Sequence, residues 1–308
     1  MSICRYCHEK AGWFSDAHDA CVQKANEAIT SIKSCMADAV TTGKKYNEVS
    51  DRINELASEA GLSPAELHAS IINSWSQATI ERSKAQPMSG VEGDAKWELI
   101  ADAEGLTEET FSAAIRDGTA NPAIYTAMAA VSFSSTIWAA LNGKEVAQDC
   151  LPPQIRNAFN LQAGEYKVWG MPHMLLRQQT MRVSYAGGYN GLSVRVAGGL
   201  WYRFGGGRGH REEHSELQDV DIGDFLLTNR AIYFGGNQRG VNFRLPYNEI
   251  MRFQYYTDAV GVCRSGANEQ IFIPKNTGIA DDCGWFLFNV LQALAARELG
   301  VKGNSTSP

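Results

Sequence analysis

Positive charge is scarce in this sequence where nucleic-acid binding would need it most. The 308 residues carry 28 Lys+Arg against 34 Asp+Glu, a net charge of −6. Residues 1–150 hold 12 Lys+Arg against 21 Asp+Glu, whereas the remainder holds 16 against 13. An acidic first half argues against broad DNA binding, because neutralising phosphates takes clustered cations. The second half can still present a local basic face. An apolar run near the start is also missing. Cys4, Arg5, Cys7, His8 and Glu9 stand where a secretory h-region would lie, so a reducing cytoplasm is expected. No Ser-His-Asp or Cys-His arrangement has a recognisable local context, and no enzyme is expected. His173, beside Pro172, and His68, beside Leu67, read as surface or satisfied histidines.

Core material is ample, at 44% hydrophobic and 10% aromatic residues. One stretch, from Gly118 to Gly143, has no charged residue and about the length of a bilayer span. It is studded with Thr126, Ser132, Ser134, Ser135 and Thr136, and much of the rest is alanine. Asn121-Pro122 starts a helix well and Asn142-Gly143 stops one, so a helix buried among other helices is expected.

The first half reads as helical. Ala25, Ile29, Ile32, Met36 and Val40 share one face over 22–42. A second helix begins near Tyr46 and ends at Gly61. In LSPAEL, Ser63 is an N-cap, Pro64 suits the first helical position and Glu66 completes a capping box; the helix that follows buries Leu67, Ile71, Trp75 and Ala78. ELASEAGLSPAEL (55–67) returns as ELIADAEGLTEETF (98–111), an internal repeat of helix, Gly-Leu turn, cap and helix. Gly90, Gly93 and Asp94 between them read as a flexible turn rather than a calcium loop, whose spacing they do not fit.

At Cys150-Leu151-Pro152-Pro153 the pattern changes. From Tyr166 to Pro274, short Val/Tyr/Phe/Ile/Leu runs alternate with glycines, as in MRVSYAGG, GLSVRVAGG, LWYRFGGG, GDFLLTNRAIYFGG and GVNFRLP. Regular short strands of this kind predict an antiparallel sandwich or small barrel. DDCGWFLFNVLQALAAREL (281–299) is an amphipathic helix with Phe286, Leu287, Val290, Leu291 and Leu294 on a wide face, expected to cover the open end of the barrel.

The chain's strongest chemical signal lies at its start. Cys4, Cys7, His18 and Cys21 form C-x2-C-x10-H-x2-C. Zinc wants four such ligands in a tetrahedron, and a full set leaves no open position for water, so a structural Zn2+ site is expected. His18 and Cys21 lie one helical turn apart, and a helix start favours thiolates. His8 is a poorer ligand because it adjoins Cys7. A redox Cys-x-x-Cys would call for a thioredoxin-like setting, which is absent. Cys35, Cys150, Cys263 and Cys283 are scattered and read as small buried apolar residues.

GDFLLTNRAIYFGG (223–236) resembles the LTN(K/R)R-hydrophobic-hydrophobic-F-G core of bacterial pleckstrin-homology-like domains. The likeness extends over roughly 160–300, with GLSVRVAGGLWYRFGGGRG before the core and FRLPYNEIMRFQ after it. The helical middle more distantly resembles a tellurite-resistance-B-type bundle. The resemblance implies a multidomain α-plus-β chain: a zinc knuckle (1–24), a helical bundle with the two-fold repeat (25–150), a linker (151–164), a pleckstrin-homology-like β-barrel with its C-terminal helix (165–300), and a disordered tail (301–308). Thr228 and Asn229 read as structural, Asn229 taking the left-handed position of a tight turn. Ala231 stands where a basic residue is common in the family.

Such barrels bind phosphoinositides, peptides or other domains, so a protein partner is expected, with a membrane surface as the second ligand class. If an anionic surface is recognised, Arg195, Arg203, Arg208, His210 and Arg211 are the contacts, partly cancelled by Glu212 and Glu213. GGGRGH (205–210) lacks the Lys-Ser/Thr and the helix of a nucleotide loop and reads as a hairpin loop. A nucleic-acid-reading knuckle ranks third, with only Arg5 and Lys10 as its cations. No small-molecule substrate is expected.

Overall fold

The computed structural model describes residues 2–12, 15–145, 151–186, 192–196, 200–204, 210–275 and 283–300. By its contacts the chain divides into two compact units, one of residues 1–147, 166–169 and 285–308, the other of residues 148–165 and 170–284.

The first unit is helical. α1 (Asp19–Thr42) buries Ala25, Ala28, Ile32, Met36, Ala39 and Val40, the 3.6-residue stripe that makes this segment a helix, and Gly43 ends it in the left-handed conformation. α2 (Ser50–Ala60) and α3 (Pro64–Ala85) meet at Gly61. The capping box is formed there: Ser63 Oγ accepts from the Glu66 N–H at 3.3 Å, and Glu66 Oε2 accepts from the Ser63 N–H at 2.9 Å. α4 (Gly90–Glu104) and α5 (Glu108–Arg116) repeat the device at Gly105 and Thr107. Both turns close alike, with Leu62 N–H donating to Ala57 O at 3.0 Å and Leu106 N–H to Ala101 O at 2.9 Å.

One sequence expectation fails here. Gly90, Gly93 and Asp94 lie inside α4, not in a flexible turn. Ser89 caps the helix by accepting from the Glu92 N–H at 3.3 Å. Gly93 is small because α6 (Pro122–Asn142) runs against it: a Cβ there would stand 2.9 Å from Val131 Cγ1. α6 is long and apolar enough to cross a membrane by length and composition, and half of its apolar window is buried. Ser134, whose side chain is fully buried, accepts from the Met88 N–H at 3.0 Å. The closing helix, α8 (Gly284–Glu298), buries Phe286, Leu287, Val290, Leu291 and Leu294. From Trp285 onward it groups with the first unit, and Phe286 stacks on Phe133 of α6 at 4.2 Å. The sequence reading had assigned it to the barrel.

The second unit contains a short helix, α7 (Pro153–Arg156), and a curled seven-stranded antiparallel sheet, a half-barrel. Its strands are β1 (Lys167–Ala186), β4 (His210–Thr228), β5 (Ala231–Gly236), β6 (Asn242–Pro246), β7 (Ile250–Tyr255), β8 (Val260–Arg264) and β9 (Gln270–Pro274), in the order β6-β5-β4-β1-β9-β8-β7. β2 (Leu192–Val196) and β3 (Leu200–Phe204) form a separate hairpin. The sheet is therefore left with two edges, β6 and β7, rather than the closed barrel expected. The period-2 alternation fills one face with Leu176, Phe225, Phe234 and Phe272, the last two with ring centroids 6.2 Å apart. The β4–β5 turn is closed by a hydroxyl and not by a left-handed Asn229. Thr228 Oγ1 accepts from Ala231 N–H at 2.9 Å, and the buried Tyr247 hydroxyl donates to Thr228 O at 2.8 Å. Among the described residues only His8 and His173 combine a side chain with positive φ.

A candidate metal centre in the N-terminal knuckle

Residues 2–12 fold back on themselves. Ile3 and Lys10 form an antiparallel bridge, Cys4 N–H donates to Glu9 O at 2.8 Å, and His8 N–H to Cys4 O at 2.9 Å. The tight turn puts His8 at φ 59°, a left-handed position in which histidine is tolerated. His8 is thereby the pivot of the turn, exposed and outside the ligand group. His18 caps α1 with extended backbone (φ −80°, ψ 145°), and Cys21 follows in the first turn. The helix brings these two together, and the turn brings Cys4 and Cys7.

The four potential ligand atoms lie within 4.8 Å of one another. His18 Nδ1 is 3.3 Å from Cys7 Sγ and 3.7 Å from Cys21 Sγ. A tetrahedral Cys3His zinc site has S···N edges of about 3.6 Å and S···S edges of about 3.8 Å, so these residues fit the metal in type and spacing. The other ring nitrogen settles the tautomer. His18 Nε2 stands 3.1 Å from Lys10 O, a carbonyl that can only accept, so Nε2 carries a proton and, in the neutral ring, Nδ1 presents its lone pair to the sulfurs.

The electrostatics are uneven. The Cys7 backbone N–H is the main influence that lowers the Cys4 thiol to about 6, against the opposing effect of burial. Burial, then the Cys7 and Cys4 sulfurs, push Cys21 up to about 11. At Cys21, burial and the two neighbouring sulfurs disfavour the thiolate. The Lys10 carbonyl and the Cys4 sulfur raise His18. A divalent cation reverses this ordering by favouring every thiolate together, so its uptake releases protons.

The knuckle is also anchored. Cys4, Tyr6, Ala11, Ala17 and Ala25 make a small core with Val22 and Leu62 against it. Tyr6 O sits so close to Gly61 that a Cβ on that glycine would be 2.2 Å away. Tyr6 Oη donates to Glu66 Oε1 at 3.4 Å, and Arg5 lies 4.8 Å over the Tyr6 ring with Nη2 donating to its hydroxyl at 2.8 Å. The sequence reading placed His18 and Cys21 at a helix start but gave no seat for Tyr6 on Gly61. Gly61 shows in sequence only as a helix stop.

Of the remaining candidates, Arg195 pairs in register with Trp201 and Arg203 with Ser193, while His210 and Arg211 open β4. The side chains of these four lie outside what is described, and Arg208 and Cys150 lie outside the described residues altogether. Cys283 is buried, whereas Cys35 and Cys263 are half-buried, with Cys263 Sγ 3.4 Å from Arg252 Nε. His68 pairs with Glu104 at 3.1 Å. Comparison with protein-family models and with curated proteins finds no match.

Proposed function

We propose that this chain is a non-catalytic cytoplasmic interaction protein. A structural zinc ion on Cys4, Cys7, His18 and Cys21 holds its N-terminus, and its curled sheet is a pleckstrin-homology-like recognition domain for a protein partner. The observation that carries the reading is the convergence of four ligand atoms within 4.8 Å from one short segment. Four protein ligands leave no coordination position for substrate, which supports a structural rather than a catalytic metal. The small core around Tyr6 is what such a metal would stabilise. A membrane surface is the second ligand class. A nucleic-acid-reading knuckle has less support, because Arg5 is engaged by Tyr6 and lies 3.8 Å from Asp16.

The test is metal analysis of the purified protein beside the double variant Cys4→Ser, Cys7→Ser. One zinc per wild-type chain and none in the variant is expected. Equal metal in both refutes the site. Turnover of a small substrate that a point substitution abolishes refutes the non-catalytic reading. Anionic-liposome pelleting that falls on replacing Arg195, Arg203 and Arg208 would move the membrane surface to first place.

A further inference from the structure

A cleft of about 470 Å³, of mixed polar and apolar lining, lies beside β6, an edge strand of the sheet among the described residues. Its origin is a cross-strand row. Asp224 of β4 pairs with Gly235 of β5, and Gly235 pairs with Asn242 of β6. The middle position has no side chain, so the carboxylate and the amide flank a gap in the row that only a neighbouring group can cover. Phe159 covers that gap, since a Cβ on Gly235 would stand 3.2 Å from its ring, and the cleft lies beside the ring, where Asn160, Gly236 and Asn237 also line it. The next row supplies a wall of Tyr233 and Arg244, in register with each other.

The charges in the cleft do not cancel. Arg244 is committed to the buried Glu165, to which Nε donates at 3.1 Å, and Tyr233 Oη donates to the same carboxylate at 2.5 Å. That trio is neutral overall. Asp224 forms no ion pair among the described residues; its neighbours are the Asn237 amide and the His173 imidazole. Burial raises its carboxyl, partly countered by His173 and Asn237, as expected for a half-buried acid without a strong counter-charge. Asn242 donates Nδ2 to Gly240 O at 3.0 Å, which leaves its Oδ1 as an acceptor facing Gly235. The cleft thus offers two acceptors, one of them anionic, beside an aromatic ring.

We propose that this cleft receives a lysine side chain of an extended basic peptide lying along β6. The proposal rests on the reading of the sheet as a protein-recognition module. The apolar stem of lysine packs on Phe159 and Tyr233 while its ammonium donates to Asp224 and Asn242. The strand edge supplies backbone hydrogen bonds, and alternate peptide residues face the sheet. Phosphate is disfavoured, since its charge would meet Asp224.

Fluorescence anisotropy with two labelled decapeptides, alternating Thr/Lys and alternating Thr/Glu, tests the inference on the full chain. The Thr/Lys peptide should bind, more weakly as salt rises. Asp224→Asn should weaken it about tenfold, the scale of one charge-assisted hydrogen bond, and Gly235→Leu, which displaces the Phe159 ring into the cleft, should abolish it. Both variants should keep the wild-type circular dichroism, and the conservative Asp224→Asn carries the result if Gly235→Leu misfolds. Thr/Lys binding that survives both substitutions overturns the inference. Binding of Thr/Glu alone overturns it and leaves the protein-partner reading standing. If neither peptide binds while phosphatidylserine vesicles pellet the protein, both fall.

Discussion

Replacing Gly61 by alanine tests the docking of the knuckle, and the chain contains its own control. Gly61 and Gly105 end helices in nearly the same left-handed conformation, at φ 66° and φ 62°. Alanine at either position incurs the left-handed penalty, about 1 kcal/mol. Only at Gly61 does the new methyl collide, standing 2.2 Å from Tyr6 O, whereas nothing lies within 4 Å of the same atom at Gly105. The obstacle is a backbone carbonyl, so the knuckle must lift. Lifting exposes Tyr6, now 8% exposed, and forfeits about 2 kcal/mol of burial. Gly61→Ala should therefore destabilise the helical unit by about 3 kcal/mol and Gly105→Ala by about 1 kcal/mol. Urea unfolding of the metal-loaded protein, followed by far-ultraviolet circular dichroism, measures the difference. Metal transfer to a chromophoric chelator supplies a second readout, faster in Gly61→Ala and unchanged in Gly105→Ala. Equal destabilisation by the two substitutions, with equal metal retention, would refute the docking of Tyr6 on this turn.

Two further outcomes follow from the same geometry. His18→Ala should release the metal while His8→Ala retains it, as metal content per chain will show, because only His18 belongs to the ligand group. Asp221 accepts from the N–H groups of Ile222, Gln238, Arg239 and Val241 at 2.8 to 3.1 Å. Burial raises its carboxyl, but these donors outweigh burial and hold it below its ordinary value. The stability it supplies is complete above the ordinary carboxylate range, near pH 4, and is lost as pH falls through the lower folded value. Asp221→Asn should cost about 2 kcal/mol at neutral pH by turning amide hydrogens toward two of those donors, with a smaller difference from wild type in acid. A thermal melt series against pH that shows no such convergence would sink this account.

What could be read from the sequence followed the range of the forces involved. Caps and amphipathic faces are local, so Ser63, Glu66, Asn121 and the stripe of α1 were legible, as was the grouping of Cys4, Cys7, His18 and Cys21 by a turn and a helix start. Glycine was the commonest source of error, because a helix stop, a close contact and an open turn share one letter. Gly93 read as a turn and is a packing site for α6. Gly61 read as a stop and is also a seat for Tyr6. The strand runs were legible where apolar residues alternate, but the length of β1 was not, since Gly170 and Pro172 interrupt the pattern. Its registered pairing with β9 runs from Met174 to Gln178, just past that proline and the positive-φ His173. Asn229 was misread because a hydroxyl, Thr228, performs the closure that a left-handed residue would. The cleft at Gly235 had no sequence signal, for it exists only when three strands and Phe159 come together.

The placement of the knuckle bears on the order of events during synthesis. All four ligands have emerged once the chain reaches Cys21, whereas the seat at Gly61 and the Glu66 carboxylate follow some forty residues later. Closing a short loop around an ion is entropically cheap compared with waiting for the distant turn. With zinc bound as proposed, capture would precede the docking of Tyr6 on the α2–α3 turn and leave a small closed loop for that turn to meet. The α2–α3 turn would then fold onto a finished surface, so that a chain made without the proposed ion would lack the template as well.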